Sequence, residues 1–167
     1  MSKSRPVRSG AAAPRIPDAD LQLVRFTRAD LPLVEPMVRA YYLEDGHGFD
    51  EERQPRALAA LADGDQLGCG WLIALAGRPI GYLVLTLGFS VEAGGAEGCI
   101  DEFYLVPAVR GLGLGGRALE LVEAEARRLA VRRLFLEVEH GNRALNLYRR
   151  AGYVDHRRFL MSKFLDR

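Results

Sequence analysis

Val106-Pro107-Ala108-Val109-Arg110-Gly111-Leu112-Gly113-Leu114-Gly115-Gly116-Arg117 separates a β-like run, residues 100–106, from an amphipathic helix, and its reading decides the fold. Four of the six residues 111–116 are glycine. Glycine admits positive φ angles and leaves no Cβ to keep a ligand from the backbone. The first N–H groups of the helix that follows have no internal acceptors, and the helix dipole adds partial positive charge there. Such a turn is an anion site, most naturally for a phosphate or pyrophosphate, and Arg110 adds a full charge at its mouth. The plain alternative is a tight structural turn.

Periodicity then organises the rest of the chain. Residues 21–26 alternate as a first strand. Thr27 or Asp30 caps a helix over residues 31–43, in which Pro32 fits the first turn and Pro36 predicts a split or kink. Residues 44–48 read as a loop, and Asp50 caps a second helix through Leu61. Residues 71–76 form a strand that turns at Gly77-Arg78-Pro79 into a hairpin partner, residues 80–89. Residues 90–98 read as a glycine-rich loop and residues 99–106 as the next strand. The helix after the glycine turn runs to about Ala130, with Leu114, Ala118, Leu121, Val122 and Leu129 on one face and the pair Glu123 and Arg127 on its wetter side. Residues 132–139 form a strand. Asn142 caps a short helix to Ala151, Gly152 ends it, and residues 153–164 supply a last strand.

The order β α α β β β α β α β holds one strand–helix–strand parallel crossover after antiparallel meanders. The expected fold class is therefore α/β, with a mixed, mostly antiparallel sheet and helices on both faces. Residues 1–17 carry Lys3, Arg5, Arg8 and Arg15 without an acid and read as a flexible basic tail, leaving residues 18–167 as one domain.

Lysine plus arginine number 23 and aspartate plus glutamate 22, so no overall charge argues for nucleic acid or a membrane surface. Cys69 and Cys99 lack the spacing of a metal site or redox pair and read as free thiols of a reducing compartment. His47, His140 and His156 are scattered, so no metal is expected. Without an apolar run of membrane-spanning length or the apolar segment of a signal peptide, a cytoplasmic location follows as the expectation.

Gly111-x-Gly113-x-x-Gly116 also satisfies the dinucleotide fingerprint literally, with Glu137 near the place of its ribose-binding acid. Pro107 to Arg110 intervene between the strand and the first glycine, however, and too little chain follows for a doubly wound sheet. Taken from Arg110, the turn is Arg-x-x-Gly-x-Gly. In this form it resembles the acyl-CoA pyrophosphate loop of the GNAT-type N-acetyltransferases. Ile100-Asp101-Glu102-Phe103-Tyr104-Leu105-Val106-Pro107 resembles the strand that precedes that loop. Ala144-Leu145-Asn146-Leu147-Tyr148-Arg149-Arg150-Ala151-Gly152-Tyr153 is similar to the family's Ala-x-x-x-Tyr-x-x-x-Gly-[Phe/Tyr] helix and turn. The resemblance covers about residues 21–164.

It implies transfer of an acetyl group from acetyl-CoA to a primary amine of a small molecule or peptide, directly and in a ternary complex. A non-catalytic acyl-CoA sensor of the same fold is the alternative, and a dinucleotide-dependent oxidoreductase a distant third. The resemblance implies that the pantetheine arm lies along Phe103, Tyr104, Leu105 and Val106, with one backbone N–H near Leu105 facing the thioester oxygen. Arg110, Gly111, Leu112, Gly113, Leu114, Gly115 and Gly116 would surround the pyrophosphate. Tyr148 matches the family's general acid toward sulfur; its plain alternative is a core tyrosine. The base is Glu102, with Asp101 close behind, and absent a bulge the two point to opposite faces. Glu92 and Glu137 are weaker candidates. An asparagine seven residues before the tyrosine contacts the cofactor in many members. Here that position is Gly141, Asn142 is displaced by one, and Asn146 is a possible substitute. Tyr41, Tyr42, Glu44 and Asp45, with Ser90, Val91 and Glu92, border the acceptor region, among them Tyr42, Asp45 and Glu92 as substrate contacts. Dimers are frequent in the family, so a homodimer is allowed by analogy.

Overall fold

Alternating apolar residues and short turns build most of this molecule, and the computed structural model describes residues 21–165 of it. The basic tail expected at residues 1–17 lies outside them. The strands are β1 (Leu21–Arg25), β2 (Gly68–Leu75), β3 (Arg78–Ser90), β4 (Gly95–Leu105) and β5 (Arg133–Leu136); the helices are α1 (Leu31–Glu44), α2 (Arg53–Ala62), α3 (Leu114–Arg128) and α4 (Leu145–Arg150). The chain divides between Glu137 and Val138 into two compact units.

The first unit holds the sheet, in the order β1-β2-β3-β4-β5, antiparallel except for the parallel pair β4–β5. The mixed sheet and the β4-α3-β5 crossover are as expected. One face carries Leu72, Tyr82, Val84 and Tyr104, packed with Phe26, Val34, Val38 and Leu58 under α1 and α2. Phe26 lies so close over Gly70 that a Cβ there would meet its ring. On the alternate positions Ile73, Leu83 and Leu85 are fully buried. Leu114, Ala118, Leu119, Val122 and Ala126 are the buried face of α3, which packs over β1. Each buried leucine, isoleucine or valine among these contributes about 1.5–3 kcal/mol relative to an exposed one.

Several boundaries differ from expectation. Leu129 is 42% exposed because α3 has ended, and Leu119 and Ala126 complete the buried stripe instead. Glu123 and Arg127 do pair, at 3.2 Å. Pro36 does not split α1. Pro32 and Pro36 are both exposed, so the helical bond lost between them falls on the wet side. Asp50 accepts from the N–H groups of Glu52 and Arg53, and α2 starts at Arg53. Residues 95–98 are strand rather than loop, because a tight turn at residues 91–94 brings Gly95 opposite Ser90. The β2–β3 turn is Ala76-Gly77, both at positive φ (49° and 73°), with Arg78 and Pro79 already in the strand. A two-residue turn of this hand favours asparagine before glycine. Ala76→Asn should therefore stabilise the fold by about 0.5–1 kcal/mol, read from urea unfolding midpoints, since alanine at positive φ costs about 1–2 kcal/mol.

The second unit begins at Val138. Asn142 Oδ1 accepts from the Ala144 N–H at 2.8 Å in a local turn ahead of the helix; α4 starts at Leu145, and its N-cap is Ala144, not the expected Asn142. Gly152, at φ 91°, closes it, with the Tyr153 N–H bonded to the Tyr148 carbonyl. The last strand expected at residues 153–164 is absent among the described residues. Asp155 accepts from the Arg157 N–H at 3.0 Å, and Arg157 sits at φ 34°. That local side-chain turn competes with a strand ladder and breaks the extended run.

Candidate active site

β4 carries the site, and its irregularity decides which side chains face where. Val84 pairs with Glu102, but Leu85 pairs with Ile100, so Asp101 is an extra residue with no partner on β3. This is a β-bulge. Ile100 shares the face of Leu85, whereas Glu102, two residues on, shares the opposite face with Val84, Tyr82 and Tyr104. In an unbroken strand running on from Ile100, Asp101 would take the α1–α2 face and Glu102 the other; the bulge puts Glu102 there instead.

Glu102 is half-buried, and Tyr82, with no exposed surface, donates its hydroxyl to Glu102 Oε2 at 2.8 Å. Burial pushes the Glu102 carboxyl up from its ordinary value; hydrogen bonds from Tyr82 and Tyr42 act against this, and Asp101 reinforces it. Asp101 is more exposed, and its carboxyl is raised by desolvation alone. A carboxylate raised in this way is a better general base near neutral pH.

The β4 edge remote from β3 is open beyond the bulge. β5 pairs only with Glu97 to Ile100, so among the described residues no strand flanks residues 101–105 on that side. The Val106 N–H bonds to the Ile80 carbonyl. In an antiparallel ladder these bonds alternate. Tyr104 accordingly turns its backbone groups to β3, while the N–H and C=O of Phe103 and Leu105 face the open edge. Of the four residues expected beside an extended ligand, two present backbone groups and two supply the wall behind them.

The glycine turn follows. Gly111 and Gly113 adopt φ of 78° and 81°, and a Cβ at either would meet nothing within 4 Å. Glycine is required at both positions by the positive φ. Gly113 caps α3 in a left-handed conformation and offers no side chain to its first turn. The N–H groups of Leu114, Gly115 and Gly116 are the helix's unmatched donors. Leu112 is half-buried and Leu114 fully buried, anchoring an otherwise exposed loop.

Arg110 is engaged by the protein. Its Nε donates to the Leu105 carbonyl at 2.7 Å, and Nη1 and Nη2 reach Glu44 at 2.8 and 3.1 Å. The guanidinium lies 5.1 Å from the centre of the Tyr104 ring. Tyr42 makes edge-on contacts with Tyr41, His47 and Phe49 and receives the Gln54 amide at 3.4 Å. Asp45, following α1, faces His47 at 3.2 Å. Glu92 lies elsewhere, at the turn after Ser90, roughly 20 Å along β3 from Val84 at ~3.3 Å per residue; Arg133 stands 3.8 Å from it.

In the second unit, Tyr148 is half-buried on α4 with its ring edge-on to Tyr153 at 5.9 Å, and burial pushes its hydroxyl up to about 12. Asn142 and Asn146 are exposed. Both cysteines are free, and burial raises the Cys99 thiol to about 11. Among the described residues no cluster of His, Cys, Asp or Glu could hold a metal, and no helix is long and apolar enough to cross a membrane.

The profile of the Acetyltransferase (GNAT) family matches residues 34–153, from α1 through Tyr153. The chain belongs to the GNAT acetyltransferase family. An integron cassette protein from the mobile metagenome of Cole Harbour Salt Marsh is 36% identical, with a TM-score of 0.75 over 87% of this chain and 91% of that one. Two further solved structures share the acetyltransferase fold at low identity. One is an aminoglycoside acetyltransferase from an uncultured soil metagenomic sample, in complex with trehalose (13% identity, TM-score 0.71, 90% and 99% covered). The other is a predicted acetyltransferase with acetyl-CoA from Clostridium acetobutylicum (16%, TM-score 0.68, 86% and 96% covered). No curated protein matches the chain.

Tyr82 escapes sequence reading: its hydroxyl holds Glu102 across two strands, and no local pattern signals that contact. Glu44 is among the residues expected at the acceptor region, but its pairing with Arg110, 66 positions away, is not visible locally.

Proposed function

We propose that this chain is an N-acetyltransferase that uses acetyl-CoA and a primary amine of a small molecule or peptide. The observation that carries the reading is the run of β4 itself: a tyrosine-held carboxylate, then an open backbone edge, then a glycine turn with unmatched helix amides. These residues fit the donor. The N–H groups around Gly111 to Gly116 suit its pyrophosphate, and the exposed N–H and C=O of Phe103 suit an extended chain bearing amides. Acetyl-CoA supplies an acyl group activated as a thioester.

The chain's own residues supply the rest. Glu102 takes the proton that the amine must lose, directly or through a water, with Asp101 as the second carboxylate. The Leu105 N–H donates toward the oxygen on which negative charge develops. Tyr148, protonated at neutral pH, serves the departing sulfur. Tyr41, Tyr42 and Asp45 suit a cationic acceptor before deprotonation, and the likeness to an aminoglycoside acetyltransferase is in keeping with a small-molecule amine. The two free thiols agree with a cytoplasmic site of action.

Thermal and chemical unfolding with acetyl-CoA, and separately with NADH, tests the donor. A ligand at about 100 times its Kd adds roughly 2.7 kcal/mol of stability. Stabilisation by acetyl-CoA together with amine-dependent thiol release is the expected result. Stabilisation without thiol release across a panel of amines would instead identify an acyl-CoA sensor. A response to NADH alone would overturn the reading.

A further inference from the structure

Arg110 stands where a counter-charge for pyrophosphate is expected, yet one donor from each of its three nitrogens is directed into the protein. Its fixed fork suits such a bidentate hold on a carboxylate. The partner, Glu44, is the last residue of α1. An acid at a helix C-terminus is disfavoured by the dipole, so its presence there calls for a compensating contact, and Arg110 provides it. The third bond is the informative one. The Leu105 carbonyl lies on the open edge of β4, beside the N–H of the same residue. An edge residue normally offers both groups together, and a lone pair next to the donor repels any oxygen that gathers negative charge. Arg110 occupies that lone pair and places positive charge behind it, leaving the N–H as the group on offer.

We propose that Arg110 and Glu44 form a positioning pair for acyl transfer: Arg110 silences the Leu105 carbonyl rather than binding pyrophosphate, and Glu44 holds it in place. This rests on the donor site argued above. It makes predictions opposite to those of a phosphate counter-charge. In Glu44→Gln the guanidinium is loosened. A positioning role then lowers kcat about tenfold while the acetyl-CoA Kd moves less than about twofold. A phosphate ligand set free from its carboxylate would instead tighten acetyl-CoA. Arg110→Lys keeps the charge but cannot reach the carbonyl and both carboxylate oxygens, so kcat falls again; a mere counter-charge would survive the change.

The experiment measures acetyl-CoA Kd by calorimetry and kcat by thiol release for the full chain and both variants, with thermal unfolding alongside. The pair is half-exposed, so both variants should unfold within a few degrees of the parent. An unchanged kcat in both variants, or tighter acetyl-CoA binding by Glu44→Gln, overturns the pair alone. Failure of the parent chain itself to bind acetyl-CoA overturns the donor reading, and this inference with it.

Discussion

Glu102→Gln lowers kcat by about 10²- to 10⁴-fold, the usual span for a general base, and at the same time makes the protein more stable at neutral pH. Both halves come from one environment. Glu102 is on the α1–α2 face only because Asp101 is inserted opposite the Val84–Leu85 step. There, burial raises its carboxyl above the value it has in the unfolded chain. Between those two values the folded state binds more protons than the unfolded state, so stability falls as pH rises through that window, and the deficit is fully present above it. Glutamine has no charge to desolvate and can still accept from the Tyr82 hydroxyl, so the deficit disappears. The activity of the parent chain should rise with pH as Glu102 loses its proton, and that acid limb should be missing in the variant. Rate and unfolding midpoint measured across pH on the same two proteins check the claim. A variant with full activity, or one destabilised at neutral pH, would mean that Glu102 is structural.

How much of this was legible beforehand depends on the range of the interactions involved. The glycine turn, the side-chain turn at Asn142 and the Gly152 stop are local, and each follows from backbone chemistry within a few residues. So does the parallel crossover, because a strand, a glycine turn and an amphipathic helix in series leave little choice. The bulge is another matter. Residues 99–106 look like an uninterrupted strand, and only pairing with β3 reveals that Asp101 has no partner. The same holds for Arg110, read as a phosphate neighbour from its motif and found bonded to Glu44 and to the Leu105 carbonyl. The lost terminal strand teaches the reverse lesson. Residues 153–164 are apolar enough for a strand, but the turn at Asp155 and Arg157 is a local preference that wins where no ladder is formed.

In the proposed mechanism the Tyr148 hydroxyl serves the leaving sulfur and not the bound state, so Tyr148→Phe should lower kcat by about 10²- to 10⁴-fold while acetyl-CoA affinity stays within about twofold. The structural grounds lie within the second unit. Asn142 starts the turn, α4 carries the tyrosine, Gly152 ends the helix, and Tyr153 packs edge-on to the ring. Phenylalanine keeps that packing and removes only the oxygen. Burial holds the Tyr148 hydroxyl up to about 12, so it is protonated throughout the working range, as an acid toward sulfur must be. The sign of its pH dependence follows. The protonated form is the competent one, so Tyr148 imposes a loss of activity only as pH climbs toward about 12, and no descending limb near neutrality belongs to it. Thiol release with saturating amine, acetyl-CoA titration by calorimetry and a pH profile on both proteins give the three readings. A phenylalanine variant within about threefold of the parent would reduce Tyr148 to a packed aromatic and move the proton donor to water or to the amine itself.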